Sequence, residues 1–243
     1  MIIIFLIIII ILIAIYWHNN YVEKYMMINN GLDMPIYIIN LESRPDRKLR
    51  MENELTKHQL RGHFIKAVNG KDVDINKQTY DQQDYFRKMR TGEIGCYLSH
   101  LKCWDLILQS GKPYGMVLED DTVFIDNFKE IFINAMNDIK DLEWDYIAIG
   151  RNCNKKIFDE DCQSGKRIND IMFYPNFIGY ATFAYVIKTE AIEKLLKTTY
   201  PISKPIDVKI IDEQQKKNIK IITFINNLAK QNNSVDSDTT KIK

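Results

Sequence analysis

Residues 114–126 read YGMVLEDDTVFID, an apolar run that ends abruptly in three consecutive carboxylates, Glu119, Asp120 and Asp121. Tyr114 to Leu118 has the make-up of a short buried strand. Side chains on a strand alternate faces, so Glu119 and Asp121 point one way and Asp120 the other. Two carboxylates on one face repel, and one pKa rises sharply unless a cation lies between them. Mg²⁺ and Mn²⁺ suit that arrangement: they are hard ions that take one or two carboxylates and leave their other positions to water and phosphate oxygens. The carboxyl end of a buried strand is also where open α/β sheets place their ligands. A solvated acidic turn is the plainer alternative, and the flanking MVL and VFI runs argue against it.

With 243 residues and 46% hydrophobic content, the chain has room for one sizeable α/β domain. A formal charge of +1 leaves no basic excess, which argues against a nucleic-acid partner. The four cysteines form no metal pattern. Cys96 and Cys103 sit on a predicted helix about 10 Å apart along its axis, too far to bridge. Cys153 and Cys162 flank a polar loop; they pair in an oxidising compartment and stay free thiols in a reducing one.

Residues 1–17, MIIIFLIIIIILIAIYW, carry no charged side chain. As a helix they span about 25 Å, close to the ~30 Å of a hydrocarbon core, with Tyr16 and Trp17 at the interface. A cleaved signal peptide needs a basic start and a small-residue cleavage site, and neither is visible, so an uncleaved single-pass membrane anchor is expected. Too few charges flank it to fix its orientation. Residues 18–34 read as a stalk, 35–228 as the catalytic-type domain and 229–243 as a mobile tail poor in apolar residues.

Within the domain, 35–41 and 63–68 read as strands around a helix that reaches about Gln59, with Ser43 as its N-cap and Pro45 and Asp46 in its first turn. That β–α–β order predicts a parallel pair. From Gly92 to Gln109 the apolar stripe Ile94, Tyr97, Leu98, Leu101, Trp104 and Leu108 predicts an amphipathic helix. Ser99 and His100 fall off the stripe, which reads His100 as a surface or supporting residue rather than a ligand. Further strands are expected at 144–150, 171–174, 179–187 and 220–224. Helices are expected at 127–139 and 189–198, the latter capped by Thr189, and 151–167 reads as a long polar loop. Strands alternating with helices make an α/β sandwich.

Five segments, in order, resemble glycosyltransferase family 25, which contains lipooligosaccharide and procollagen galactosyltransferases. They are INLESRPDR (39–47), GEIGCYLSHLKCW (92–104), MVLEDD (116–121), GYATFAYVI (179–187) and PID (205–207). The resemblance covers about 35–207. It implies a GT-A-like fold, a mixed, mostly parallel sheet flanked by helices. It also implies a UDP-sugar donor (UDP-galactose or UDP-glucose first), a divalent cation and inversion at the anomeric carbon. The acceptor would be a glycan, a glycolipid or a hydroxylysine-type protein side chain, and lipopolysaccharide biosynthesis is one setting. The chain closes soon after PID, so the acceptor-side wall is expected to be short.

Roles follow for single residues. Asp121 holds Mn²⁺ or Mg²⁺, with Glu119 as second ligand or ribose contact. Asp120 faces the sheet side or meets a donor hydroxyl. Asn40, Arg44 and Arg47, at the end of the first strand, are expected on the donor, the arginines through charge-assisted forks; surface pairing with Asp46 or Glu42 is the alternative for the arginines. Asp207, alone among apolar neighbours, is the expected general base, with metal ligand and N-cap as competing roles. A non-catalytic, membrane-anchored binding module on the same scaffold is the rival class. A phosphohydrolase would need a supporting Lys or His cluster, whereas His18, His58, His63 and His100 are scattered.

Overall fold

The strand Ile36–Asn40 (β1), IYIIN, sends alternate side chains to opposite faces, and the whole molecule is sorted by that period of two. A computed structural model describes residues 32–74, 87–153 and 162–232. The anchor expected at 1–17 and most of the stalk lie outside them. Among the described residues no helix is long and apolar enough to cross a membrane.

After β1 come helix α1 (Pro45–Lys57) and strand β2 (His63–Lys66). Helix α2 (Thr91–Gln109), β3 (Tyr114–Glu119), β4 (Thr122–Phe124) and α3 (Phe128–Asp138) follow. Next are β5 (Tyr146–Asn152), β6 (Gly165–Arg167), β7 (Met172–Pro175) and β8 (Tyr180–Lys188). The order closes with α4 (Thr189–Leu196), α5 (Ile206–Gln215), β9 (Ile221–Phe224) and β10 (Ala229–Gln231). Eight strands form one sheet in the order β2-β1-β3-β8-β5-β9-β7-β6, and β10 pairs with β4 in a small second sheet. β1 lies parallel to both β2 and β3, as the β–α–β reading requires. β8 runs antiparallel to β3 and β5, and β7 antiparallel to β9 and β6. Only β7 and β8 therefore oppose the rest, and the sheet is mixed but mostly parallel in direction.

Each face has its own core. Ile36, Ile38, Met116 and Leu118 pack with Met51 and Leu55 of α1 and with Phe128 and Phe132 of α3. Tyr37, Ile39, Val117 and Tyr185 face the other way, against Ile94, Tyr97, Trp104 and Ile107 of α2, Ile192 of α4 and Ile210 of α5. Burying each of these large side chains stabilises the fold by about 1.5–3 kcal/mol. β3 has partners on both edges and helices on both faces, which is why its run is almost wholly apolar.

Several expectations are corrected. Helix α1 begins at Pro45, so Arg44 and not Ser43 is its N-cap, while Pro45 and Asp46 do lie in its first turn. Lys188, not Thr189, precedes α4, and the Thr189 hydroxyl instead donates to the Pro113 carbonyl at 3.2 Å. β6 lies within the stretch read as loop, and a disulfide joins Cys153 to Cys162. Strand pairing extends to Gln231, past the Leu228 boundary, because Ala229–Gln231 closes on Thr122–Phe124 just beyond the acidic triplet.

The segment after β2 packs hard against α2. The Val68 amide donates to Ser99 Oγ at 2.8 Å, and Ser99 Oγ donates to the Gly95 carbonyl at 2.7 Å. A Cβ on Gly95 would lie 2.6 Å from the Val68 carbonyl oxygen and 2.7 Å from the Gly70 nitrogen, both backbone atoms. Gly95→Ala should therefore destabilise the protein by about 1–3 kcal/mol through overpacking, read as a lower denaturant midpoint with an unchanged slope.

Candidate functional site

β3 ends at Glu119, and the chain turns through Asp120 and Asp121 before β4. Leu118 belongs to the α1 face and Val117 to the α2 face, so Asp120 inherits the first side and Glu119 the second. Asp120 is 6% exposed and fully engaged. Its Oδ2 accepts from Asn40 Nδ2 at 2.7 Å and its Oδ1 from Arg47 Nη1 at 2.8 Å. Its carbonyl accepts from Arg50 Nη2 at 2.7 Å. Burial pushes the Asp120 carboxyl above its ordinary range, opposed by the Arg47 and Asn40 hydrogen bonds. Asn40 and Arg47, expected on the donor, are instead buried against Asp120. Arg44 pairs with Asp46 at 3.1 Å, the alternative foreseen for it.

Asp121 is the opposite case. Its Oδ1 is buried with no hydrogen-bond partner among the described residues, and Oδ2 lies 3.9 Å from Arg47 Nη1. Burial and the neighbouring Glu119 charge push this carboxyl up to about 7. A buried carboxylate oxygen without a donor is unstable as an anion, and a hard cation shared with Glu119 removes the cause. The residues present thus fit Mg²⁺ or Mn²⁺.

Glu119 faces the other helix. Its Oε1 lies 3.5 Å from His100 Nε2 and 3.5 Å from Thr182 Oγ1. His100 is fully buried, and the stripe read from apolar letters was rotated away from it. The inward face of α2 includes Ser99, His100 and Cys103 beside Tyr97 and Trp104, while Leu98, Leu101 and Leu108 are only partly buried. The His100 ring is anchored from behind: Nδ1 lies 2.9 Å from the Tyr185 hydroxyl, which also accepts from Trp104 Nε1 at 2.9 Å. The Trp104 donor fills one Tyr185 lone pair, so the hydroxyl proton is available to His100 Nδ1. Nε2 then carries the ring proton towards Thr182 Oγ1, at 3.3 Å, and Glu119. The signal for this was the pairing of His100 with Ser99 and Trp104 on one helix, whose partners lie on strands distant in sequence.

Asp207 sits in the first turn of α5. Its Oδ2 accepts from the Ala181 amide at 3.1 Å and its Oδ1 from the Val208 amide at 2.8 Å. The first bond holds Ala181, a non-glycine residue at φ 74°, at the start of β8. Burial raises the Asp207 pKa against these two donors, and the Glu119 charge raises it further. The same field reaches the Cys96 thiol, pushed well up by burial and then by Glu119, Asp207 and Asp121. Glu119, Asp121, Asp207 and Cys96 therefore share one electrostatic neighbourhood at the carboxyl end of β3.

A sequence model of Glycosyltransferase family 25 (LPS biosynthesis protein) matches residues 33–210. A relative from Danio rerio, Procollagen galactosyltransferase 1, is 30% identical over 184 residues, 71% of this chain and 30% of the relative. A Glycosyltransferase 25 family member from Anopheles gambiae is 33% identical over 71% of this chain and 30% of its own length. The human Inactive glycosyltransferase 25 family member 3 is 28% identical over 66% of this chain and 28% of its own. The chain thus spans less than a third of the length of these curated relatives.

Two outcomes follow. Arg47→Met strips the buried Asp120 carboxylate of its cation and should cost about 3–5 kcal/mol in denaturant unfolding. For Asp121, the folded carboxyl keeps its proton to about 7, whereas the unfolded one releases it near 3.9. Between those values the unfolded chain binds fewer protons, so metal-free stability should fall as pH rises through the window. Asp121→Asn should flatten that fall in thermal melts run in chelator.

Proposed function

Because the chain belongs to glycosyltransferase family 25, we propose that it transfers a hexose, galactose or glucose, from a UDP-sugar to a hydroxyl of a glycan, glycolipid or protein acceptor with inversion. The observation that carries this reading is the orphaned, buried Asp121 oxygen beside Glu119 at the end of the central strand. The relative named Procollagen galactosyltransferase 1 supports galactose as the first donor to test. The mixed, mostly parallel sheet with its acids at one strand end is compatible with a GT-A-like scaffold.

Glu119 and Asp121 would hold Mn²⁺ or Mg²⁺, which supplies Lewis-acid neutralisation of the leaving diphosphate. Asp120 is committed to Asn40, Arg47 and Arg50, and its part is to fix the turn that presents the other two acids. Asn40 and Arg47 act on the donor through that turn. Arg44, beside it and only partly exposed, is the arginine placed to meet a phosphate if it leaves Asp46. Asp207 takes the proton from the acceptor hydroxyl: each oxygen receives one backbone N–H and keeps a lone pair for a substrate proton. The raised pKa improves it as a base near neutral pH. Residues 1–17 would anchor the enzyme in a membrane in a single pass.

The human relative named inactive gives the non-catalytic reading a specific footing. UDP release from a panel of UDP-sugars, with Mn²⁺ and candidate acceptors, separates the two: turnover supports the enzyme, and UDP binding without turnover supports the binding module. Asp121→Ala should abolish cation-dependent release while leaving the fold intact, since it also removes a repulsive charge. Asp207→Asn should lower turnover by about 10²–10⁴-fold with cation affinity unchanged; loss of cation affinity instead would make Asp207 a ligand.

A further inference from the structure

Cys96, His100 and Glu119 bring a thiol sulfur, an imidazole nitrogen and a carboxylate oxygen within 4.8 Å of one another. Cys96 and His100 are four residues apart on α2 and so lie one turn apart on the same face. Glu119 arrives from β3 on the α2 side of the sheet, its Oε1 3.5 Å from His100 Nε2. A metal-bound histidine is ordinarily oriented by a partner on its far ring nitrogen. His100 has one in the Tyr185 hydroxyl at 2.9 Å, itself fixed by Trp104.

The donor set is not the one a hard ion prefers. Thiolate, imidazole and a single carboxylate suit Zn²⁺ in tetrahedral coordination, whereas Mg²⁺ and Mn²⁺ prefer all-oxygen surroundings. We propose that Cys96, His100 and Glu119 form a second cation site, selective for Zn²⁺ over Mg²⁺ and Mn²⁺, which antagonises transfer by withdrawing Glu119 from the diphosphate side. On binding, the Cys96 S–H proton leaves to solvent and the sulfur bonds the metal through its thiolate. His100 binds through the Nε2 lone pair: its Nε2 proton leaves to solvent, Nδ1 takes one up and donates it to the Tyr185 oxygen, and the Tyr185 hydroxyl proton rotates away from the ring. Thiolate and carboxylate balance the two positive charges, and water completes the tetrahedron. The occupancy of this site stands apart from the proposed function; only the antagonism rests on it.

The test uses the full chain and Co²⁺ as a coloured stand-in for zinc. Wild-type protein should show thiolate-to-cobalt charge-transfer absorption that Zn²⁺ abolishes and Mg²⁺ does not. Cys96→Ser and Cys96→Ala should both lose the absorption and bind zinc at least about tenfold more weakly. Cys103→Ala, which removes the other free thiol, should keep both properties. With Mn²⁺ and a UDP-sugar, Cys96→Ala should release UDP at the wild-type rate but resist zinc concentrations that inhibit wild type. Absence of the absorption in wild type, or its survival in both Cys96 variants, overturns the site. Zinc binding at Cys96 without inhibition of an active enzyme overturns the antagonism. Cobalt absorption at Cys96 in a protein that releases no UDP leaves the cation site standing and removes the transferase reading instead.

Discussion

Asp120 is gripped by Asn40 from the end of β1, by Arg47 from α1 and, through its carbonyl, by Arg50. A buried ion pair of this kind costs desolvation about as large as its Coulomb attraction, so it is a poor source of net stability. What it gives is geometry. Three donors from β1 and α1, 70 to 80 residues away in sequence, fix one carboxylate and the peptide behind it. The turn after β3 is left with no freedom to rotate its acids outward.

The neighbours of Asp120 are consequently held in place without being satisfied. Among the described residues, Asp121 has an oxygen buried with no donor, and the contacts of Glu119 with His100 and Thr182 are long. Unsatisfied charge held rigidly does little to stabilise a fold, and it is the ground on which a cation and a diphosphate are proposed to bind here. The α2 motif serves the same end. Gly95 and Ser99 bring the helix onto the segment after β2, and His100, the residue after Ser99, is thereby aimed at Glu119.

Local pattern reached some of this and missed the rest. Period-two alternation in MVLEDD placed Glu119 and Asp120 on opposite faces, and the two helices that receive them bear this out through His100 and Arg47. The apolar runs of β1, β3, β5, β8 and β9 were legible because those strands are buried. β6 (GKR) and β10 (AKQ) were not, since their residues carry little apolar signal and only pairing with β7 and β4 makes them strands. The antiparallel direction of β8 is equally a matter of neighbours. Asn40 and Arg47 stand out by their position after the first strand, yet their partner Asp120 lies too far along the chain for local reading to find. His100 falls off the apolar stripe, so helical period alone reads it as a surface or supporting residue, whereas here Tyr185, Trp104 and Thr182 make a polar lining for it inside the core.

The central claim is that Glu119 and Asp121, presented by the Asp120 clamp, hold the cation that binds a nucleotide diphosphate. Calorimetric titration of Mn²⁺ into the protein, with and without UDP, tests it most directly. The account predicts a single Mn²⁺ site whose affinity rises when UDP is present, with UDP binding strengthened to the same degree by Mn²⁺. UDP binding of equal strength in Mn²⁺ and in chelator, or no Mn²⁺ binding at all, would contradict it.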